Sequence, residues 1–357
     1  APMLHPNGDK ILSVIVENDG LYEEHESIGP KGDYKNLSRE QIIEIIKEAG
    51  IVGMGGAGFP TFIKLSPPPE KKIDSIIVNG AECEPYLTSD YRVMLEETDR
   101  VVTGLKIILK LFPEAKGYIA VEDNKMEAVK ALLEETKNID NIEVKLVKTK
   151  YPQGAEKQLI YAVTKREVPS GGLPADVACI VQNIDTVVAI HRAIVRGRPL
   201  MRRIVTVSGG AVKDPKNFKV KIGTSYRELV EAAGGLVSEP VKIISGGPMM
   251  GMALTSLDVP VCKGTSAILC LTKEEAELPE EQNCIRCGRC IAACPMNLMP
   301  LQLNQYAIHK EIDKFEAIHG MDCMECGCCS FVCPAKRHIV QSVRTAKKLV
   351  RSNKKNA

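Results

Sequence analysis

The chain has 357 residues and a formal net charge of +2, with 44% hydrophobic and 26% charged residues. This length predicts two or three domains of ordinary globular composition. The balanced charge argues against nucleic acid as a partner, so we expect none. The longest apolar runs fall well short of the roughly 18 residues that span a bilayer. The first residues include neither an initiator methionine nor a signal-peptide pattern, and we interpret them as an internal start.

The segment from residue 38 to about 200 alternates helical and strand patterns, which predicts an α/β fold with a mostly parallel sheet. Ser38 and Gln41 form a capping-box pattern ahead of a helix that Gly50 is expected to end. Further strands are predicted over 73–78, 117–121 and 142–147, and further helices over 103–112 and 126–137.

The pattern of predicted secondary structure changes at Met201, and the new pattern continues to about Thr272. Short β-rich runs are broken by glycine pairs, as in Gly246-Gly247-Pro248, and one helix is expected over 225–233. These features predict a small α+β module. The acidic stretch 273–282 is predicted to be a linker.

Nine of the 13 cysteines lie between Cys284 and Cys333, where the motif C-x2-C-x2-C-x3-C-P occurs twice. This order is typical of two-cluster ferredoxins, in which the fourth cysteine of each motif ligates the other cluster. We expect that fourth cysteine to lie on the helix that follows each motif. The motifs predict two [4Fe-4S] clusters with crossed ligands. The first cluster takes Cys284, Cys287, Cys290 and Cys333, and the second takes Cys323, Cys326, Cys329 and Cys294.

Two structural zinc sites are the alternative for these cysteines, because paired C-x2-C elements also bind zinc. The repeated four-cysteine order favours clusters. Cys328 is predicted to be an unliganded thiol, and the isolated Cys83, Cys179, Cys262 and Cys270 are assigned no chemistry. Cysteines at cluster spacing without an export signal indicate a reducing, cytoplasmic compartment.

A glycine-rich loop, Gly53-Met54-Gly55-Gly56-Ala57-Gly58-Phe59, follows the first predicted helix, and Lys64 lies shortly after it. Glycines let backbone N–H groups approach an anion, and a lysine adds a positive charge. The loop matches neither a Walker motif nor the dinucleotide fingerprint. By itself it fits a tight structural turn as well as a ligand cradle.

Two further stretches favour a ligand site. Asn79-Gly80-Ala81-Glu82-Cys83-Glu84-Pro85 follows a predicted parallel strand, at the edge where α/β proteins bind ligands. Tyr151-Pro152-Gln153-Gly154-Ala155-Glu156 precedes another predicted helix. Each glutamate alone could be a solvated surface charge. Together with the loop, the stretches predict a site.

These segments, with Gln182-Asn183-Ile184-Asp185-Thr186, resemble in order the flavin and nicotinamide motifs of the NADH-binding flavoprotein subunit of respiratory complex I. The whole chain is still more similar to the C subunits of Rnf complexes, the ion-translocating ferredoxin:NAD oxidoreductases. It departs from the complex I pattern at Ala81, Ala155, Gln182 and Pro67.

The resemblance implies that the chain binds FMN, NAD(H) and the two clusters. Glu84 and Phe59 would face the dinucleotide. The FMN would be surrounded by Gly53, Gly55, Gly56, Gly58, Lys64, Asn79, Glu82, Tyr151, Gly154, Glu156, Asn183 and Thr186.

The resemblance also implies a domain order. Residues 1–30 would be the remainder of a β-rich N-terminal domain, 31–200 an α/β domain that binds FMN and NADH, 201–272 a β-grasp-like (SLBB) module, and 273–357 an α-helical ferredoxin-like domain with two clusters and a basic C-terminal helix.

The implied function is electron transfer between NAD(H), FMN and the clusters, as a peripheral subunit at the cytoplasmic face of the cell membrane. Its partners would be membrane-embedded and iron-sulfur subunits of the same complex. The alternatives are a cobalamin reductase of the same architecture and a non-catalytic iron-sulfur scaffold.

The segment 338–355 has a basic amphipathic helical pattern, with apolar residues such as Val343 on one side and Lys347 among the basic residues on the other. This pattern fits a helix that docks on a membrane subunit or on lipid. It fits equally a helix that packs on its own domain.

Overall fold

The protein is described by a computed structural model that covers residues 1–277 and 279–356. It divides into two compact units. The first comprises Ala1–Val168 and Pro174–Glu275, and the second comprises Pro169–Leu173 and Ala276–Ala357.

The strands are β1 (Pro2–Leu4), β2 (Lys10–Leu12), β3 (Ser75–Gly80), β4 (Lys116–Glu122), β5 (Ile142–Val147), β6 (Cys179–Asn183), β7 (Arg202–Ser208), β8 (Lys216–Lys221), β9 (Lys242–Ser245), β10 (Met252–Leu254) and β11 (Ala267–Leu271). The helices are α1 (Arg39–Glu48), α2 (Thr61–Lys64), α3 (Ser89–Glu96), α4 (Thr98–Leu111), α5 (Met126–Thr136), α6 (Glu156–Thr164), α7 (Ile184–Arg196), α8 (Tyr226–Ala232), α9 (Lys273–Ala276), α10 (Arg289–Ala292), α11 (Pro300–Ile308), α12 (Ile312–Ala317), α13 (Cys328–Phe331) and α14 (Ile339–Asn356).

A four-stranded parallel sheet, in the order β5-β4-β3-β6, forms the centre of the α/β part. Successive residues of a strand point to opposite faces, so both faces of β3 carry apolar side chains. Ile76 and Val78 join the core that α1, α3, α4, α5 and α7 cover. Ile77 joins a second core that α6 covers. The predicted α/β architecture is confirmed.

The helix bounds show where local signals were strong. Ser38 and Gln41 form the predicted capping box, and the Ser38 N–H donates to Gln41 Oε1 at 2.7 Å. Helix α1 ends just before Gly50, whose φ is +63°. Helix α4, in contrast, begins at Thr98, five residues before the predicted start at Thr103. The prediction placed the start too late because the first turn is largely polar and does not show the apolar spacing of a helix.

The predicted α+β module is a mixed five-stranded sheet in the order β10-β9-β11-β7-β8. Strands β7 and β11 are parallel, and the other neighbours are antiparallel. Helix α8, with its capping box of Ser225 and Glu228, packs on this sheet through Tyr226 and Leu229. The segment predicted to be a linker, 273–282, opens with α9, and Leu278 within it lies outside the described residues.

The second unit contains α10 to α14 around one small core, to which Leu303, Phe315 and Val343 contribute. Among the residues that the structure describes, no helix is both long and apolar enough to cross a membrane.

The apolar side of the C-terminal helix α14 packs inside its own unit. Ile339, Val343 and Val350 are buried in that core. Lys347, expected on the basic outer side, is buried and donates to the Cys323 carbonyl at 2.6 Å. The apolar side is thus packed as the internal-packing alternative expects, and docking of the remaining basic side on a membrane subunit or lipid stays a prediction.

Candidate functional site

The glycine-rich loop lies between α1 and α2 and is closed at its base by the Gly53 N–H, which donates to the Phe59 carbonyl at 2.9 Å. Gly58 has a φ of +69°, a left-handed value that favours glycine. Within the described part of the chain, the N–H groups from Gly55 to Gly58 donate no hydrogen bond. The exposed loop thus presents unpaired backbone donors, the chemistry that an anionic phosphate requires.

All four predicted segments meet at the carboxyl edge of the parallel sheet. Asn79 and Asn183 are register partners at the ends of β3 and β6. Asn79 Nδ2 donates to the Gly154 carbonyl at 2.8 Å. A Cβ added to Gly55 would lie 3.0 Å from Asn183 Nδ2, so the glycine loop lies directly against α7's first residues.

Gly154 occupies a position that only glycine fits. A Cβ there would lie 2.2 Å from the Ala81 carbonyl oxygen. The Gly154 N–H donates to Cys83 Sγ at 3.4 Å. Burial raises the pKa of the Cys83 thiol to about 11, so this cysteine stays protonated at neutral pH. Its position in the site is therefore that of a small packing group.

Lys64 and Glu156, both expected beside FMN, form an ion pair with each other. Lys64 Nζ lies 2.6 Å from Glu156 Oε1, and both side chains are partly exposed. Lys64 ends α2, and Glu156 begins α6. The pair therefore places a lysine beside a helix N-terminus, and both favour negative charge nearby.

Two other predicted residues have structural partners. Glu82 accepts hydrogen bonds from the N–H groups of Asp90 and Tyr91 at 2.8 and 3.2 Å, which caps α3. Thr186 Oγ1 accepts from the Met54 N–H at 3.0 Å and so fixes the glycine loop. Both side chains shape the site by holding its segments in place.

Asp90 is a half-buried residue at the site that no sequence motif indicated. Its Oδ2 accepts from Asn183 Nδ2 at 2.7 Å. Burial and the nearby carboxylates of Glu82 and Asp185 raise the pKa of Asp90 to about 7. Burial raises the pKa of Glu82 as well, whereas the hydrogen bonds from the N–H groups of Asp90 and Tyr91 favour its charged form.

Glu84, expected to face the dinucleotide, lies close to the α+β module. Its carboxylate accepts hydrogen bonds from the N–H groups of Met249 and Met250 at 3.1 and 2.8 Å. Tyr151 Oη lies 3.5 Å from Glu84 Oε1. Phe59, the other residue expected there, is 53% exposed, which leaves its ring free for stacking.

The second unit contains two cavities lined largely by cysteines and apolar residues. Across the described residues, no three His, Cys, Asp or Glu side chains converge as they would on a single metal ion. The cysteines stand around the cavities instead. The first cavity is lined by Cys284, Cys287, Cys290 and Cys333, and the second by Cys294, Cys323, Cys326 and Cys329.

The fourth cysteine of each motif lies just after a short helix. Cys294 follows α10, and Cys333 follows α13, so the expectation that they lie on the following helix is wrong. These one-turn helices lie within the motifs themselves. Cys328, expected to be unliganded, also lines the second cavity.

The site also uses residues that carried no motif signal. Arg203 on β7 forms a buried ion pair with Asp185 and donates to Met54 Sδ at 3.0 Å. A lone arginine in a β-rich segment does not reveal such a contact. The turn signal of Gly246-Gly247-Pro248 marked a loop, but it gave no indication that the following N–H groups bind Glu84.

Three family profiles match the chain. They are the Nuo51 FMN-binding domain over residues 46–192, the SLBB domain over residues 204–253 and the 4Fe-4S dicluster domain over residues 283–336.

Among its relatives is the C subunit of the Na⁺-translocating ferredoxin:NAD⁺ oxidoreductase complex of Acetobacterium woodii, 48% identical over 96% of this chain and 78% of that protein. The C subunit of the proton-translocating ferredoxin:NAD⁺ oxidoreductase complex of Clostridium ljungdahlii is 52% identical over 96% of this chain and 75% of that protein. The chain belongs to this family of C subunits. The predicted family, the oxidoreductase function, FMN and the two [4Fe-4S] clusters are thereby confirmed.

Other relatives are longer than this chain. The C subunit of the ion-translocating oxidoreductase complex of Haemophilus influenzae is 41% identical over 87% of this chain, which spans 48% of that protein. The NAD⁺-reducing [NiFe]-hydrogenase in the H₂-reduced state has a TM-score of 0.59 at 15% identity, over 89% of this chain and 62% of the hydrogenase chain. That similarity shows a shared fold.

Proposed function

We propose that this C subunit passes electrons between NAD(H), FMN held at the carboxyl edge of its parallel sheet, and two [4Fe-4S] clusters with crossed ligands. The observation that carries the proposal is the composition of the two cavities. Each is lined by three cysteines of one motif and the fourth cysteine of the other. This is the arrangement that the duplicated motif requires of two adjacent clusters.

The residues at the sheet edge fit a flavin mononucleotide. The unpaired N–H groups from Gly55 to Gly58 would hold its phosphate, with Lys64 as the nearby positive charge. A Cβ at Gly55 would lie 3.0 Å from Asn183 Nδ2, so glycine lets the loop pack tightly against the Asn183 side chain beside the cofactor position. Glu82 and Thr186 would act through the segments that they hold.

The dinucleotide would bind beside Glu84 and Phe59. The exposed ring of Phe59 could stack on a base, and the Glu84 carboxylate could accept a hydrogen bond from the nucleotide. A bound flavin exchanges electron pairs with a nicotinamide and single electrons with clusters. The protein's own contribution is to position these groups.

The electrons would continue to membrane-embedded and iron-sulfur subunits of the same complex, with this chain peripheral at the cytoplasmic face of the membrane. The names of its relatives support a place in a multisubunit complex. None of the described cysteines forms a disulfide, which suits a reducing compartment.

Paired serine variants test the crossed ligands. Electron paramagnetic resonance of the anaerobically reduced full chain should show that Cys333→Ser perturbs the same cluster signal as Cys284→Ser. Cys294→Ser should perturb the same signal as Cys323→Ser. Cys262→Ser, a half-buried cysteine of the α+β module, is the control and should leave both signals unchanged.

Uncrossed ligation predicts the opposite pairing. If Cys294→Ser matched Cys284→Ser, each cluster would take all four cysteines of one motif, and the proposed assignment would be overturned. Zinc in place of iron in the anaerobic protein would overturn the cluster proposal altogether.

A further inference from the structure

A tight loop of the α+β module, residues 246–251, lies against Glu84. The loop joins β9 to β10, and it is closed by the Gly251 N–H, which donates to the Gly247 carbonyl at 2.9 Å. Gly246 has a φ of +96°, which favours glycine. After Pro248, the N–H groups of Met249 and Met250 both donate to the Glu84 carboxylate.

The loop fits the carboxylate closely. A Cβ added to Gly247 would lie 2.2 Å from Glu84 Oε2, and a Cβ added to Gly251 would lie 2.4 Å from the Gly247 carbonyl oxygen. No side chain could therefore be placed at either glycine unless the loop or the carboxylate moved. The chain has glycine at both positions.

The two N–H groups leave Glu84 able to bind a further donor. An ionised carboxylate has about four acceptor positions. The loop uses one on each oxygen, and the Tyr151 hydroxyl, 3.5 Å away, uses a second on Oε1, which leaves one position on Oε2. Burial raises the pKa of Glu84, whereas the hydrogen bonds from Met249 and Met250 act in the opposite direction and favour the charged form. The loop thus fixes the direction of the carboxylate and supports its charge.

We propose that loop 246–251 is a positioning element of the dinucleotide site, which holds the Glu84 carboxylate in the orientation that accepts a hydrogen bond from the nicotinamide nucleotide. The inference rests on the proposed role of Glu84. It gives the SLBB module a direct part in substrate binding, in addition to the support that Arg203 gives the glycine loop.

Gly247→Ala tests the inference, because the added methyl must displace the carboxylate. Binding of NAD⁺ to the oxidised, FMN-loaded full chain, measured by calorimetry, should weaken about tenfold, the loss of one well-oriented hydrogen bond. The KM for NADH should rise more than kcat falls. Gly29→Ala is the matched control, since a Cβ there meets nothing within 4 Å.

A double variant separates positioning from general damage. If the loop acts through Glu84, Gly247→Ala should add no further loss of NAD⁺ affinity in the Glu84→Gln background. If Glu84→Gln weakens NAD⁺ binding but Gly247→Ala does not, the inference is wrong while the role of Glu84 stands. If Glu84→Gln leaves the NAD⁺ affinity unchanged, the proposed role of Glu84 is wrong, and so is the inference that rests on it.

Hydrogen exchange provides a test that needs no loop variant. The amides of Met249 and Met250 should be protected in the wild-type chain, exchange faster in Glu84→Gln, and stay protected when NAD⁺ binds. Loss of their protection on NAD⁺ binding would mean that the loop releases Glu84 to the nucleotide, which contradicts a positioning role.

Discussion

Replacing Asp90 by asparagine should stabilise the chain, and more so at high pH. Asp90 is half-buried near the carboxylates of Glu82 and Asp185, and it accepts a hydrogen bond from Asn183 Nδ2. An asparagine side chain has a carbonyl oxygen that can accept the same hydrogen bond. It carries no charge at any pH, so the variant removes the cost of ionising a group in this position.

The magnitude follows from the pKa. Asp90 has a pKa of about 7 in the folded chain, against an ordinary value of 3.8. Because the folded pKa is raised, the folded state binds this proton more tightly, and stability falls as the pH rises from about 4 to about 7. At roughly 1.4 kcal/mol per pH unit, ionisation of Asp90 lowers the free energy of unfolding by about 2 kcal/mol at pH 5.5 and by about 4 kcal/mol at pH 8, relative to a neutral side chain.

The variant should therefore gain about 2 kcal/mol more at pH 8 than at pH 5.5. For a unit of this size that corresponds to an additional rise in Tm of about 4 to 8 °C. Thermal unfolding of the anaerobic full chain, followed by circular dichroism and flavin fluorescence at both pH values, measures it. FMN content must match the wild type.

Asp258→Asn is the control, because Asp258 is exposed and its pKa is lowered, chiefly by Arg227. It should show no gain that grows with pH. An equal gain for Asp90→Asn at both pH values would refute the argument, since it would mean that Asp90 is already ionised at pH 5.5 or stays protonated at pH 8.

Three further variants or measurements follow from the same contacts. Lys64→Ala should weaken FMN binding about tenfold or more, because a charge-assisted contact is lost. Lys71→Ala, which breaks a similar partly exposed ion pair outside the loop, should leave FMN binding unchanged. The FMN content of each variant after gel filtration measures this difference. Arg203→Met should lower the free energy of unfolding by about 3 to 5 kcal/mol, because Asp185 is left buried without its cation. Arg227→Met, at an exposed ion pair, should lower it by about 1 kcal/mol or less. Equal shifts in Tm for the two variants would contradict this prediction. Iron and sulfide analysis should give about eight of each per chain, and about four would leave one cavity without a cluster.

The sequence predicted the parts of the fold whose signal is local. Strand β5 was predicted with its observed bounds, because a short β-rich segment between turn residues has one simple interpretation. The capping box of Ser38 located α1 for the same reason. The two sets of four expected from the cysteine spacing each line one cavity, the second together with Cys328.

Contacts between distant segments could not be predicted in this way. Every residue except proline has a backbone N–H, so nothing at Met249 or Met250 distinguishes these groups as partners of Glu84. The contact of Arg203 with the glycine loop depends on how β7 packs beside it. For α14, a basic amphipathic pattern does not show which surface covers its apolar side, and only the fold places that side in the core of its own unit.

The most direct test of electron transfer within this chain is its reoxidation by NAD⁺. The anaerobic protein would be fully reduced with dithionite, freed of excess reductant and mixed with NAD⁺, while absorbance at 340 nm and the cluster signals in electron paramagnetic resonance are recorded. Each NADH formed takes two electrons and one proton, so we expect NADH to appear while the cluster signals decay. If NADH formed while both cluster signals persisted, the clusters would not be connected to the flavin, and the proposed electron path through this chain would be contradicted.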